Sequence, residues 1–197
     1  TGGNTTVNSG GTIAPGNSPG ILTVGGLTLN GNGTYTWEMA DATGAAGTGW
    51  DQINATGLLT IGSNATSTFK IAITSSGAPS NWDYTTTNQT WDIIDYGSIS
   101  GFNASYFTFN STAFGGDLSP DSSWSLVDTG SVLRLTYAYT LNTPTYTGAS
   151  GDWSTGFTPS LDNTENAIFI GVGGTATNDI ASGTLSSIGT LTFDGSN

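Results

Sequence analysis

The side chains that could do chemistry in this chain are almost all carboxylates. Histidine and cysteine are absent, and Lys70 and Arg134 are the only basic residues. These counts exclude catalytic triads that use histidine, redox thiols, and metal sites built from histidine or cysteine. Glycoside hydrolysis by a pair of carboxylates needs none of these groups, so this reaction class remains open.

Glu38 is the best candidate for the acid of such a pair, with Asp41 or Asp51 as its partner. However, Glu38 alternates with Tyr35 and Trp37 in a predicted strand, which places its side chain on the opposite, solvated face. We therefore assign no catalytic residue and expect no enzymatic activity. Polysaccharide cleavage by paired carboxylates is kept as the less favoured alternative.

Two glycine-containing segments match known motifs. Gly16–Gly20 fits the G-x-S-x-G pattern of a nucleophile elbow, but an elbow needs a histidine base and a following helix. Residues 21–24 predict a strand instead, so we interpret this segment as a proline-rich corner. Gly171–Ala176, with Asp194 downstream, fits a dinucleotide fingerprint, but residues 177–183 lack the helical period that this motif requires. We therefore expect no cofactor and assign no cofactor-binding residue.

Calcium is the one metal that the composition leaves open, because oxygen ligands are frequent. No D-x-D-x-D-G loop or glycine-rich nonapeptide calcium repeat occurs, so the metal-ligating residues stay unassigned. The acidic residues of the second half are scattered, which favours a role in solubility. Among them are Asp117, Asp121, Asp128, Asp152, Asp162 and Glu165.

The charge of the chain excludes two kinds of partner. Its formal net charge of −12 at pH 7 repels phosphate backbones and anionic lipid, so we expect neither nucleic-acid nor polybasic membrane binding. No apolar run of about 18 residues predicts a transmembrane helix. No basic segment followed by an apolar one opens the chain as a signal peptide would.

The composition and the residue alternation predict an all-β fold. Charged residues make up only 8% of the chain, and Gly, Ser, Thr and Asn supply the polar surface and the turns. Residues 34–39, 68–74 and 131–139 alternate with period two, which places Lys70 and Arg134 outward. A phase slip at Ile93–Ile94 predicts a bulge or a corner. The shorter predicted strands are Ile21–Val24, Leu27–Leu29, Leu58–Ile61, Trp91–Tyr96, Phe107–Phe109, Trp124–Leu126 and Ala167–Ile170.

An internal repeat indicates how these strands are arranged. Val24–Gly31 is matched without gaps by Ile188–Gly195, and Gly20–Gly25 is matched more weakly by Gly57–Gly62. Short strands with repeated signatures are typical of a β-solenoid, in which each coil buries one face against the next. We expect a solenoid module over residues 1–140, with a β-sandwich-like cap as one option. Residues 141–197 would begin a second repeat that continues beyond this chain or into a neighbouring subunit.

Four segments of the first module resemble a module common in bacterial autotransporter passengers and related large secreted surface proteins. They are Gly11–Val24, Tyr35–Glu38, Trp50–Gly57 and Trp91–Gly97. After Gly151, the surroundings of Trp153, Ala167–Phe169 and Leu191–Phe193 are similar to the opening of the autotransporter-associated β-strand repeat. The resemblance implies a right-handed parallel β-helix at the bacterial cell surface or outside the cell, and it assigns no functional residue.

We therefore expect an extracellular structural protein, a stalk, filament or adhesive element whose copies associate end to end. A carbohydrate-binding adhesin is the main alternative. The aromatic residues near turns are expected to be buried, although exposed ones would stack on sugars. They are Trp50, Trp82, Tyr84, Trp124 and Trp153. Seven N-x-S/T sequons give only weak support for glycosylation; they start at Asn4, Asn32, Asn54, Asn64, Asn88, Asn103 and Asn110.

Overall fold

The computed structural model describes residues 2–16, 18–84, 86, 88–119 and 122–139 in full. Beyond these it describes the backbone of six short strands between residues 145 and 194. The chain divides into two compact units. The first is formed by Thr1–Leu118 with Ser122–Ala138, and the second by Ser119–Asp121 with Tyr139–Asn197.

The described part of the first unit consists of β-strands and one 3₁₀ turn, Ala104–Tyr106, without an α-helix. The all-β prediction is confirmed. The strands are β1 (Thr5–Val7), β2 (Thr12–Ile13), β3 (Ile21–Val24), β4 (Leu27–Asn30), β5 (Thr34–Glu38), β6 (Gln52–Gly62), β7 (Phe69–Thr74), β8 (Gln89–Ser100), β9 (Phe107–Ala113), β10 (Ser122–Asp128) and β11 (Val132–Tyr139).

The chain passes back and forth between two sheets. One sheet has the order β1-β4-β6-β8-β11-β10, with β3 as a second partner of β6, and the other has the order β2-β5-β7-β9. All pairs of the second sheet are parallel, as are the pairs among β1, β3, β4, β6 and β8. Strand β11 joins β8 in antiparallel fashion, which ends the parallel series of the first sheet.

Equivalent positions lie directly opposite one another along each sheet. In the first sheet, Leu27 lies between Thr5 and Leu59. In the second sheet, Tyr35 lies between Ile13 and Ile71. The connections between the sheets nevertheless differ in length, from residues 31–33 after β4 to 63–68 after β6 and 101–106 after β8. The register between strands is therefore independent of the length of the connection that precedes it.

The core is formed by the inward-facing alternate residues of both sheets. The predicted inward faces are confirmed, since Tyr35, Trp37 and Met39 are fully buried while Thr34, Thr36 and Glu38 are half-buried on the other face. The same alternation holds in β7 and β11. Their inward residues, each at most 6% exposed, are Phe69, Ile71, Ile73, Leu133, Leu135, Tyr137 and Tyr139.

Of the bulge and the corner that the sequence left open at Ile93–Ile94, the structure shows the bulge. Ile93 and Ile94 are both fully buried, and the pairing with β11 shifts so that Leu133 lies opposite Ile94 while Arg134 lies opposite Asp92. Ile93 is the extra residue of the bulge. The strand lengths were predicted less well, because β6 begins at Gln52 rather than at Leu58 and the prediction contained neither β1 nor β2.

The described backbone of the second unit also contains parallel pairs. Its strands are β12 (Thr145–Tyr146), β13 (Gly151–Asp152), β14 (Phe157–Thr158), β15 (Ala167–Ile170), β16 (Ala176–Thr177) and β17 (Leu191–Asp194). Strands β12, β15 and β17 pair in parallel, as do β13 and β16. Strand β17 covers the same part of the sequence repeat that β4 covers in the first unit. None of the described residues belongs to a helix long and apolar enough to span a membrane.

Candidate functional site: the Asp51 corner and the outer face beside Trp50

Asp51 is a buried carboxylate just before β6, with only 2% of its surface exposed. One side-chain oxygen accepts the N–H of Gly20 at 2.7 Å, and the other accepts the N–H of Glu38 at 3.1 Å. Burial raises the pKa of Asp51 to about 6, against the lowering effect of the two N–H donors. The carboxylate therefore joins two backbone segments that are distant in sequence.

Further contacts around Asp51 hold the corner that ends at Gly20 in place. The indole nitrogen of Trp37 donates to the backbone carbonyl of Asp51 at 2.7 Å, and the Ser18 hydroxyl donates to the Glu38 carboxylate. A Cβ atom on Gly20 would lie 1.9 Å from the carbonyl oxygen of Gly16, so the turn closes tightly at this glycine. The Gly16–Gly20 segment continues into strand β3, as predicted, and not into a helix.

The structure locates the three residues of the paired-carboxylate hypothesis. That hypothesis took Glu38 as the acid and Asp41 or Asp51 as its partner. The structure brings Asp51 next to Glu38, and the two Asp51 oxygens accept backbone N–H groups, one of them that of Glu38. Asp41 lies in a separate turn, where it accepts the side-chain amide of Asn81 and the N–H of Thr43. The Asn81 amide is the main cause that lowers the pKa of Asp41.

A second polar arrangement, which the sequence did not predict, lies on the outer face of the first sheet. The bulge at Ile93 turns both Asp92 and Asp95 to this face, because two consecutive residues between them point inward. In a regular strand, residues three apart would lie on opposite faces. The Ile93–Ile94 phase slip was therefore the sequence signal for this carboxylate pair.

Side chains from two neighbouring strands bind these carboxylates. Arg134 of β11 makes a two-pronged contact with Asp92, from Nε at 2.6 Å and from Nη2 at 3.1 Å. The Gln52 amide donates to the Asp92 carbonyl at 3.2 Å and to the Asp95 carboxylate at 3.3 Å. The indole nitrogen of Trp50 donates to the same Asp92 carbonyl at 3.4 Å.

The electrostatics of this outer face follow from the pairing. Partial burial and the nearby Asp92 raise the pKa of Asp95. The hydrogen bonds to Asp92 raise the pKa of Arg134, which is thus held in its charged form. Both predicted outward positions are confirmed, since Lys70 is exposed and Arg134 lies on the outer face, but Arg134 is paired rather than free.

Four of the aromatic residues near turns are half-buried and not fully buried as expected. They are Trp50, Trp82, Tyr84 and Trp124. Trp82 and Trp124 are nearly parallel with ring centroids 6.0 Å apart, and both lie near the buried Trp91. These two rings thus extend the core beside β10, the edge strand of the first sheet, and do not form an exposed aromatic row. Trp153 lies outside the described residues.

Several sequons have a local structural role. In three of them the Asn side-chain oxygen accepts both the N–H and the hydroxyl of the residue two positions later, which closes a small turn. These are Asn64, Asn103 and Asn110, all exposed. Such turns give the N-x-S/T pattern a structural role at these three positions.

The described residues contain no group of three or more acidic side chains arranged to hold a metal ion. Most of the Gly171–Ala176 motif lies outside the described residues, as do Asp121, Asp162 and Glu165, and for Asp152 and Asp194 only the backbone is described.

No family model and no curated protein sequence matches the chain. The autotransporter-like resemblance therefore rests on the four segments of the first module and the strand-repeat opening after Gly151.

Proposed function

We propose that this chain is an extracellular structural protein, a β-solenoid segment that serves as a stalk, filament or adhesive element of a bacterial surface. The observation that carries the proposal is the stacking of equivalent residues across successive parallel strands. Thr12, Thr34, Lys70 and Thr108 follow one another at one register position of the second sheet. A chain that returns to the same position after each passage between two sheets forms a coil.

The surface chemistry of the stack supports an extracellular role. Threonine, serine and asparagine occupy many outward positions, which keeps the surface hydrated without high charge. Only Lys70 and Arg134 offer cleavage points for trypsin-like proteases, and Arg134 is held by Asp92. Such a surface suits a protein exposed to proteases outside the cell.

The sheet edges provide a means of assembly. Among the described strands, β1 pairs on one side only, with β4. The N–H of Thr5 is directed to the Gly26 carbonyl, so the N–H of Thr6 points to the open side because successive residues alternate. An open edge with unpaired N–H groups accepts a further strand, and in this proposal that strand comes from another copy of the chain.

Negative-stain electron microscopy of the native protein beside residues 1–197 tests this proposal. We expect filaments with a regular axial repeat, and we expect Thr6→Pro to shorten or abolish them, because proline removes the N–H on the open side. Thr5→Pro is the contrasting variant, since it removes a bond inside the sheet and should lower stability. Single particles at every protein concentration, in both the native material and residues 1–197, would contradict end-to-end assembly.

A further inference from the structure

We propose that the outer face of the first sheet binds a neutral oligosaccharide. The binding surface, here called the outer-face patch, consists of Ile21, Trp50, Gln52, Asp92, Asp95 and Arg134. This inference goes beyond the structural role and does not depend on whether copies of the chain associate.

The outer-face patch forms a row that crosses neighbouring strands. Ile21 of β3 lies directly opposite Gln52 of β6, and β6 pairs with β8, which carries the two aspartates. Asp92 in turn lies opposite Arg134 of β11. Because adjacent strands are about 4.8 Å apart, three strand spacings give a row about 14 Å long. This length suits a short chain of sugar rings better than a single ring.

One end of the patch is apolar. Ile21 is 54% exposed, the highest value among the large hydrophobic residues described. The turn at Gly47 lies between Ile21 and Trp50. A Cβ atom added to Gly47 would lie 2.7 Å from Cγ1 of Ile21, and the Gly47 N–H donates to the backbone carbonyl of Trp50 at 2.7 Å. The half-buried indole is held in place by its bond to β8. A fixed aromatic ring and an exposed aliphatic side chain on the same face can each contact the apolar C–H face of a sugar.

The remainder of the patch offers hydrogen-bonding groups in fixed positions. Only Gln52, among the described residues, donates to the Asp95 carboxylate, at one oxygen. The other oxygen is left to accept hydroxyl groups. Arg134 uses Nε and Nη2 on Asp92, so Nη1 remains as a donor, and its side chain is 41% exposed. Asp95 thus supplies an acceptor and Arg134 a donor on the same face of the sheet, and hydroxyl groups of a sugar chain can bind both kinds of group.

The charge of the patch argues against an anionic sugar. Arg134 neutralises Asp92, which leaves Asp95 as the net charge of the patch, in a chain of net charge −12. An anionic polysaccharide would be repelled both locally and by the whole chain. Phosphate-rich and uronic-acid ligands are therefore poor candidates.

Isothermal titration calorimetry of the full chain tests the proposal. The probes are cellohexaose, xylohexaose and maltohexaose, with a galacturonic acid oligomer as the anionic control. We expect at least one neutral probe to bind and the anionic oligomer not to bind. We expect Asp95→Ala to weaken binding at least about tenfold, because a charged acceptor is lost. Ile21→Ser should weaken it by a smaller factor.

Asp117→Ala is the matched control, because it removes an exposed carboxylate elsewhere on the same unit. Its affinity should stay within about twofold of that of the parent chain. Circular dichroism establishes that each variant is folded. Failure of all three neutral probes to bind at millimolar concentration would overturn the proposal, as would equal affinity of the Asp95→Ala and Asp117→Ala chains. Neither result would bear on the proposal of end-to-end assembly, because electron microscopy of the filaments tests that proposal separately.

Discussion

The carboxylate of Asp51 accepts the backbone N–H of Gly20 at 2.7 Å, across 31 residues of sequence. Its second oxygen accepts the N–H of Glu38, so one side chain holds together the corner before β3 and the end of β5. The role of Asp51 in this structure is therefore to fix the chain path.

Replacing Asp51 by alanine should destabilise the first unit strongly. Two buried N–H groups would lose their acceptor, and each such loss costs about 1 to 3 kcal/mol. We expect the free energy of unfolding to fall by about 2 to 4 kcal/mol in urea titrations followed by tryptophan fluorescence. The exposed Asp117→Ala variant serves as the control and should change little. An Asp51→Ala chain as stable as this control would show that the buried contacts are not needed.

The raised pKa of Asp51 predicts a pH dependence of stability with an unusual sign for a carboxylate. The folded chain binds a proton at about pH 6, whereas the unfolded chain binds it near pH 4. Between these values the folded state holds more protons, so stability should rise as the pH is lowered from about 6 to about 4. The raised pKa of Asp95 acts in the same direction.

Thermal unfolding at pH 4.5 and pH 7.5 measures this effect. We expect a higher melting temperature at pH 4.5, and a smaller difference for Asp51→Asn, which cannot titrate. A parent chain that is more stable at pH 7.5 would contradict the assignment of the raised pKa to Asp51.

Gly20→Ala should also destabilise the corner, for a steric reason. The added Cβ would lie 1.9 Å from the carbonyl oxygen of Gly16, so the backbone would have to move. Overpacking of this kind costs about 1 to 3 kcal/mol, and it would also lengthen the bond to Asp51. Gly3→Ala is the matched control, because a Cβ added at Gly3 would meet no heavy atom within 4 Å. Differential scanning calorimetry should separate the two variants clearly.

The turn at Asn64 should depend on its side-chain oxygen and not on the amide nitrogen. That oxygen accepts the N–H groups of Thr66 and Ser67, each at 3.0 Å. Asn64→Ala should therefore lower the free energy of unfolding by about 0.5 to 1 kcal/mol. Asn64→Asp keeps the acceptor and should retain most of the stability in the same urea titration. Equal losses in both variants would show that the amide nitrogen, and not the oxygen, matters at this position.

The parts of the fold that sequence predicted are those set by local periodicity. Tyr35, Trp37 and Met39 alternate with polar residues, and a strand with one buried face needs only that pattern. The bulge at Ile93 was visible for the same reason, because two adjacent isoleucines break the alternation. These features require no knowledge of what the strand pairs with.

The features that sequence did not predict depend on long-range contacts. Asp51 stands between Trp50 and Gln52 without any local apolar pattern, and its burial is set by the distant Gly20 and Glu38. Strand β6 begins at Gln52 because β3 and β8 lie on either side of it and supply its hydrogen bonds. The pairing of Asp92 with Arg134 likewise appears only once β11 lies beside β8.

The unequal connections between the two sheets have a consequence for how such a protein diversifies. Strand register is kept whether the passage between sheets spans residues 31–33 or 101–106, so the scaffold tolerates a change in length at these points. New loops can therefore be gained by insertion while the inherited ladder of strands stays in place. A short peptide epitope inserted after Ala65 should be displayed on the surface without unfolding the first unit, which makes the fold a carrier for foreign sequence.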